Sequence, residues 1–242
     1  MSMTLQAFRR LVYLSKQELG RVVLNQHSER TRLNKEPLAV RNLIKIVDAT
    51  LALSNAKNFQ AMSLRDLSLE TGLGMSELHA YIRDKDDLIS LIQSYGYLMS
   101  ARILLDQIKD IHTPLEQLRI AVRTHVFLSE TLLDWFYFSY METRNMAAEE
   151  KRQARQAELG IEELFCNIIR AGQRQGVFRE LDPQLSVSLL EAMLQDWYLK
   201  RWKYRQRQLD VETYVSFVQA MLERHLLSEQ ESENHENNRL AQ

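Results

Sequence analysis

The chain has little of what a secreted, turn-rich or membrane-spanning protein needs. Its one cysteine, Cys166, makes no internal disulfide and has no partner thiol for a zinc site. Leu164 and Phe165 beside it mark a core face, where an inert buried thiol is expected. Three prolines and seven glycines in 242 residues are too few to punctuate a β architecture, so an all-α fold is expected. No apolar run approaches the ~18–20 residues of a membrane span. Arg9 and Arg10 are not followed by an export-signal pattern, which makes a cytoplasmic location and no membrane partner the expectation. The formal net charge of −1 lacks the basic excess common in nucleic-acid binders. His-Glu-x-x-His, Gly-x-Ser-x-Gly and a phosphate-cradling glycine loop are all missing. Glu149 and Glu150, adjacent on a helix, point apart. No enzyme, cofactor or metal is expected.

What is present is helical spacing and an uneven distribution of charge. Residues 1–36 carry seven Lys/Arg and three Glu, residues 37–90 six against seven acids, and residues 228–242 four Glu with one Arg. The last stretch is polar, lacks aromatics and reads as a disordered acidic tail. Leu5, Phe8, Leu11, Val12, Leu19, Val22 and Val23 suggest an amphipathic helix in a basic N-terminal extension, 1–36. Pro37 opens the next helix, with Val40, Leu43, Ile44, Val47 and Leu51 on one face.

Residues 62–88 hold the most information. Ser63 and Asp66 have capping-box spacing, and Gly72 suits a left-handed helix stop. A short helix is then expected from Gly74 or Met75 to Ile82. Asp84 caps the helix after it. Lys85 is out of place at that positive helix end unless an anion sits there. Short helices separated by tight breaks form a helix-turn-helix, whose second helix enters a DNA groove. Residues 37–90 are therefore expected to be a DNA-binding domain.

Ser63-Leu64-Arg65-Asp66-Leu67, Thr71-Gly72-Leu73, Tyr81-Ile82 and Lys85-Asp86-Asp87-Leu88 resemble the signature of the TetR family of transcription regulators. The likeness covers about residues 38–90 in motif and extends in architecture to about 227. It implies an all-α homodimer on a palindromic operator, with residues 91–227 as a helical ligand-binding and dimerisation domain. It implies phosphate contacts from Ser63, Tyr81 and Lys85, and a groove-facing segment Gly74, Met75, Ser76, Glu77, His79 and Ala80. Family members often place Lys, Thr, Tyr and His where this chain has Met75, Glu77, His79 and Ala80. The reading helix thus has no cation, and Glu77 repels phosphate unless it accepts from a cytosine amino group. Arg30, Arg32 and Lys35 supply the missing charge if they form a minor-groove arm; a solvated linker is the other reading.

Glu142-Thr143-Arg144 and Gln195–Trp202 look like ligand-domain segments of some members. Trp135, Phe136 and Tyr140 line an inducer pocket or are core, and His125 and Arg144 are candidate anchors for an acidic head group. A hydrophobic or amphipathic inducer, such as a fatty acyl thioester, is expected to release a repressor from DNA. The alternative is a TetR-like scaffold with weakened DNA binding that acts through a protein partner. The resemblance implies that the last two long helices pair with their copies, so Leu190, Leu194, Trp197, Val211, Tyr214 and Val218 are expected at a dimer seam; the apolar coverage of residues 185–197 and 211–222 on more than one face supports this.

Overall fold

A computed structural model describes residues 3–26, 36–146 and 148–229, and these form helices with one isolated bridge, Phe178 to Leu227, and no strand. The helices are α1 (Leu5–Gln26), α2 (Glu36–Lys57), α3 (Leu64–Thr71), α4 (Met75–Leu78), α5 (Lys85–Ile108), α6 (Pro114–Thr131), α7 (Leu133–Glu142), α8 (Ala148–Arg174), α9 (Pro183–Leu199), α10 (Arg201–Gln206) and α11 (Val211–Leu226). They make two compact units: Met1–Ala101 with Thr131–Ala157, and Arg102–Glu130 with Glu158–Gln242. Arg30, Arg32 and Lys35 lie outside the described residues, as does the tail from 230 onward.

In the first unit, α1 is part of the core. Phe8, Val12, Leu19 and Val23 are buried. The helix runs antiparallel to α2, since Lys16 binds Asp48 at 2.9 Å while Gly20 faces Val40 and Ile44. A Cβ at residue 20 would lie 2.9 Å from Val40 Cγ1, so glycine permits the close approach. α2 stops where Asn58 takes φ 71°, a left-handed conformation that asparagine tolerates. The capping box at Ser63 and Asp66 forms as its spacing implies, and Gly72 closes α3 at φ 66°.

α4 is shorter than its spacing suggests. It ends at Leu78, and residues 79–81 continue as a tight turn, with Ala80 N–H on the Glu77 carbonyl and Tyr81 N–H on that of Leu78. α5 is long and apolar enough to cross a membrane by length and composition alone, contrary to the sequence expectation. More than half of that stretch is buried within the protein, as in a core helix. The aromatic run of α7 packs on it. Trp135 donates from Nε1 to the Ile92 carbonyl at 3.0 Å, and Tyr97 meets the indole edge-on at 5.2 Å.

Gly96 makes room for that indole, since a Cβ there would sit 1.8 Å from Trp135 Cε2. Gly96→Ala is expected to lower stability by about 3 kcal/mol. Thermal unfolding monitored by circular dichroism checks this. Adding Trp135→Phe should recover part of the loss, because the two sites share one volume.

In the second unit, α6, α9 and α11 surround a core that includes Val122, Phe127, Leu190, Leu194, Trp197, Val215 and Val218. Arg119 binds Glu223 through two nitrogens at 2.7 and 3.0 Å, and Arg123 binds Glu212 at 2.6 Å. Cys166 is buried, and burial raises its thiol pKa, so the reactive thiolate is disfavoured.

Glu191 on α9 is half-buried; burial first, and then the charges of Glu162 and Glu158, push its pKa up to about 7. The folded state therefore holds this proton more tightly than the unfolded chain. That contribution is intact below about pH 4.5 and is lost as pH rises through about 7. Glu191→Gln is expected to raise Tm at pH 8 and leave it unchanged at pH 4, which paired melts will test. His125 has the opposite sign: held neutral down to about 4, it withdraws stability as pH falls from 6.5. Comparing the variant with the parent at each pH cancels it.

Candidate functional site

The helix-turn-helix offers one exposed strip. Gly74, Met75, Ser76, Glu77 and His79 are exposed, and Ala80 and Tyr81 are half-buried beside them. Leu67, Leu73, Leu78 and Ile82 point into the head and fix α4 against α3. Ser63 is exposed, and its hydroxyl is engaged as the cap: it accepts from Asp66 N–H at 3.1 Å and donates to the Asp66 carboxylate at 2.8 Å. Lys57, at 2.8 Å, and the Ser63 bonds hold the Asp66 carboxyl well below the usual carboxylate range.

His79 Nδ1 lies 3.3 Å from the Ile82 carbonyl oxygen. A carbonyl only accepts, so Nδ1 donates there. The strip carries the Glu77 carboxylate and contains no Lys or Arg. Exposed cations of the head stand elsewhere, at Arg41, Lys45 and Arg65.

Lys85 has a structural partner that the sequence reading missed. Its ammonium donates to the Phe59 carbonyl at 2.7 Å and the Gln60 carbonyl at 3.0 Å, and lies 4.6 Å from the Phe59 ring centroid. Burial lowers its pKa, while Glu142 and Asp86 oppose that shift. The lysine satisfies the loop between α2 and α3, which explains a cation at the start of α5 without a phosphate. Nothing local signals this, because the carbonyls lie some 25 residues earlier in the chain.

Asn42 was also missed. It is buried on α2 and donates from Nδ2 to Glu77 Oε1 at 2.9 Å. Its only trace in the sequence is a polar residue between Val40 and Leu43 on an apolar stripe.

The ligand candidates separate. Trp135 and Phe136 are core side chains, in edge-to-face contact at 4.9 Å. Tyr140 and Arg144 are exposed. His125 belongs to the second unit, half-buried with its ring 6.4 Å from that of Phe165. Burial lowers its pKa to about 4, so at neutral pH it lacks the positive charge an acidic head group would need. The first unit does contain a cleft of about 250 Å³, lined by Ser54, Asn55, Asn58 and Phe59 on one side and Tyr137, Phe138, Met141 and Glu142 on the other. It is smaller than the ~300–1,000 Å³ of most small-molecule sites.

The proposed seam residues also need correction. Leu190, Leu194, Trp197, Val211, Tyr214 and Val218 are all buried within the protomer. The apolar residues left in solvent are their near neighbours: Leu185 (67% exposed) and Leu189 (63%) on α9, and Phe217 (60%) and Met221 (46%) on α11. Each helix carries such an i, i+4 pair.

Comparison with known proteins agrees with this architecture. Residues 112–222 match the family described as Tetracyclin repressor-like, C-terminal domain. The chain is 20% identical over 163 residues to the HTH-type transcriptional regulator HbdR of Aromatoleum sp. (strain CIB), covering 67% of this chain and 71% of HbdR. Its fold is similar to that of AibR in complex with isovaleryl coenzyme A and operator DNA, with a TM-score of 0.66 at 18% identity over 74% of this chain and 97% of AibR. It is also similar to FadR from Bacillus subtilis in complex with stearoyl-CoA, with a TM-score of 0.63 at 18% identity over 74% of this chain and 96% of FadR. A capped helix-turn-helix head thus precedes a Tetracyclin repressor-like C-terminal domain, and the chain is similar to transcriptional regulators of the TetR family.

Proposed function

We propose that the protein is a homodimeric repressor whose two heads bind the half-sites of a palindromic operator and that a hydrophobic or amphipathic inducer releases it. The observation that carries the DNA reading is the exposed Gly74–His79 strip, held rigid by the Ser63–Asp66 cap and the Leu78 anchor. The solvent-facing pairs on α9 and α11 support a second copy as partner. A fatty acyl thioester is the proposed inducer class, supported by the acyl-CoA complexes of AibR and FadR.

The strip itself is poor in charge, so Arg30, Arg32 and Lys35 are proposed to neutralise further phosphates from the segment before α2. α1 is packed into the head, so deleting residues 1–36 would remove core side chains along with this charge; substitution is the sound test. Fluorescence anisotropy with DNA from the region upstream of its own gene, titrated with salt, should show selective binding. In Arg30→Ala/Arg32→Ala/Lys35→Ala the salt slope should become shallower by about 0.9 for each phosphate no longer neutralised. Acyl-CoAs of graded chain length, added to the complex, should release the DNA.

The acidic one-turn α4 favours one other reading, a scaffold that acts through a protein partner. It predicts no selective binding by either form.

A further inference from the structure

The Glu77 carboxylate stands in the strip proposed to face DNA, where it repels every phosphate and no lysine or arginine of the strip neutralises it. It is nevertheless held in place. Its Oε1 accepts from Asn42 Nδ2 at 2.9 Å, and Asn42 is buried on α2. One oxygen is tethered, and Oε2 retains lone pairs at an exposed position.

An acceptor-only group in a major groove finds two kinds of donor, the amino groups of cytosine and adenine. Adenine's amino group lies between two acceptors, its own N7 and the O4 of thymine. Cytosine's has one, the O6 of guanine. A carboxylate is therefore less repelled at cytosine. We infer that Asn42 orients Glu77 to accept from a cytosine amino group, so that this pair sets the base preference at one position of each half-site. Asn42 is a positioning residue, and Glu77 is the group that touches the base. The inference rests on the DNA-binding reading above.

The test is selection from randomised duplexes by the full-length protein, followed by sequencing. The parent should enrich sites with cytosine at one position. In Glu77→Gln that position should shift toward adenine, which glutamine reads with two hydrogen bonds, and the preference for cytosine should fall about tenfold. Asn42→Ala should flatten the same position and keep the order of preference at the others, a pattern that general loss of stability does not produce. Asn42 is buried and its loss can weaken the head, so Glu77→Gln, at an exposed position, carries the test by itself. An unchanged cytosine preference in Glu77→Gln overturns the inference and leaves the DNA-binding reading standing. If the parent enriches no sequence, the DNA-binding reading fails and the inference falls with it.

Discussion

Leu189→Glu is expected to convert the protein from a species of twice 28.5 kDa to one of 28.5 kDa in sedimentation equilibrium, and to remove operator binding with it. Leu189 is largely in solvent within the protomer, so the substitution leaves the fold intact, as far-ultraviolet circular dichroism should confirm. In a two-fold interface every residue occurs twice, and each glutamate would lose water against an apolar partner face. The dimer dissociation constant should rise on the order of 10³-fold, within the range of interface hot spots. Phe217→Glu on α11 should do the same. Leu190→Glu is the informative contrast: this neighbour of Leu189 is fully buried, and a charge there should unfold the protomer. If Leu189→Glu stays dimeric, the seam lies elsewhere.

The second large effect concerns Trp197. The indole is fully buried, stacked on Tyr214 at 4.6 Å and 26°, and 4.9 Å from Tyr204. The Arg201 guanidinium lies 4.2 Å from its ring centroid while binding Glu130 through two nitrogens at 2.8 and 3.1 Å. Trp197→Ala should cost about 4 kcal/mol, the transfer free energy of the ring plus the cavity it leaves. Trp197→Phe keeps a stacking ring and should lose about half of that. Urea unfolding midpoints at equal slope measure both. If Trp197→Ala costs less than Trp197→Phe, the ring is under strain and the packing argument fails.

Local signals were legible in the sequence. The Ser63–Asp66 cap and the Gly72 stop depend on residues within one turn, and each forms as expected. α4 and the loop before it were less so, because the end of that helix and the partners of Lys85 are set by packing and by groups distant in sequence. The residues expected at a seam on α9 and α11 lie in the protomer's own core for a specific reason. Both helices are apolar on two sides, and periodicity marks two stripes without saying which one the protomer's own core takes. At the candidate site the exposed strip from Gly74 to His79 was readable. Asn42 was not, because its partner Glu77 lies 35 residues away.

The packing of α1 bears on how freely this protein can be recombined. A chimera that grafts residues 37–90 onto the effector domain of another protein would inherit the cap, the strip and the Asn42–Glu77 pair. It would also uncover Val40 and Ile44, which now lie against Gly20. Such a graft would carry a sticky flank, prone to self-association before it ever met an operator. The smallest portable unit therefore begins at α1, and natural shuffling of this reading head would have to carry the N-terminal helix along.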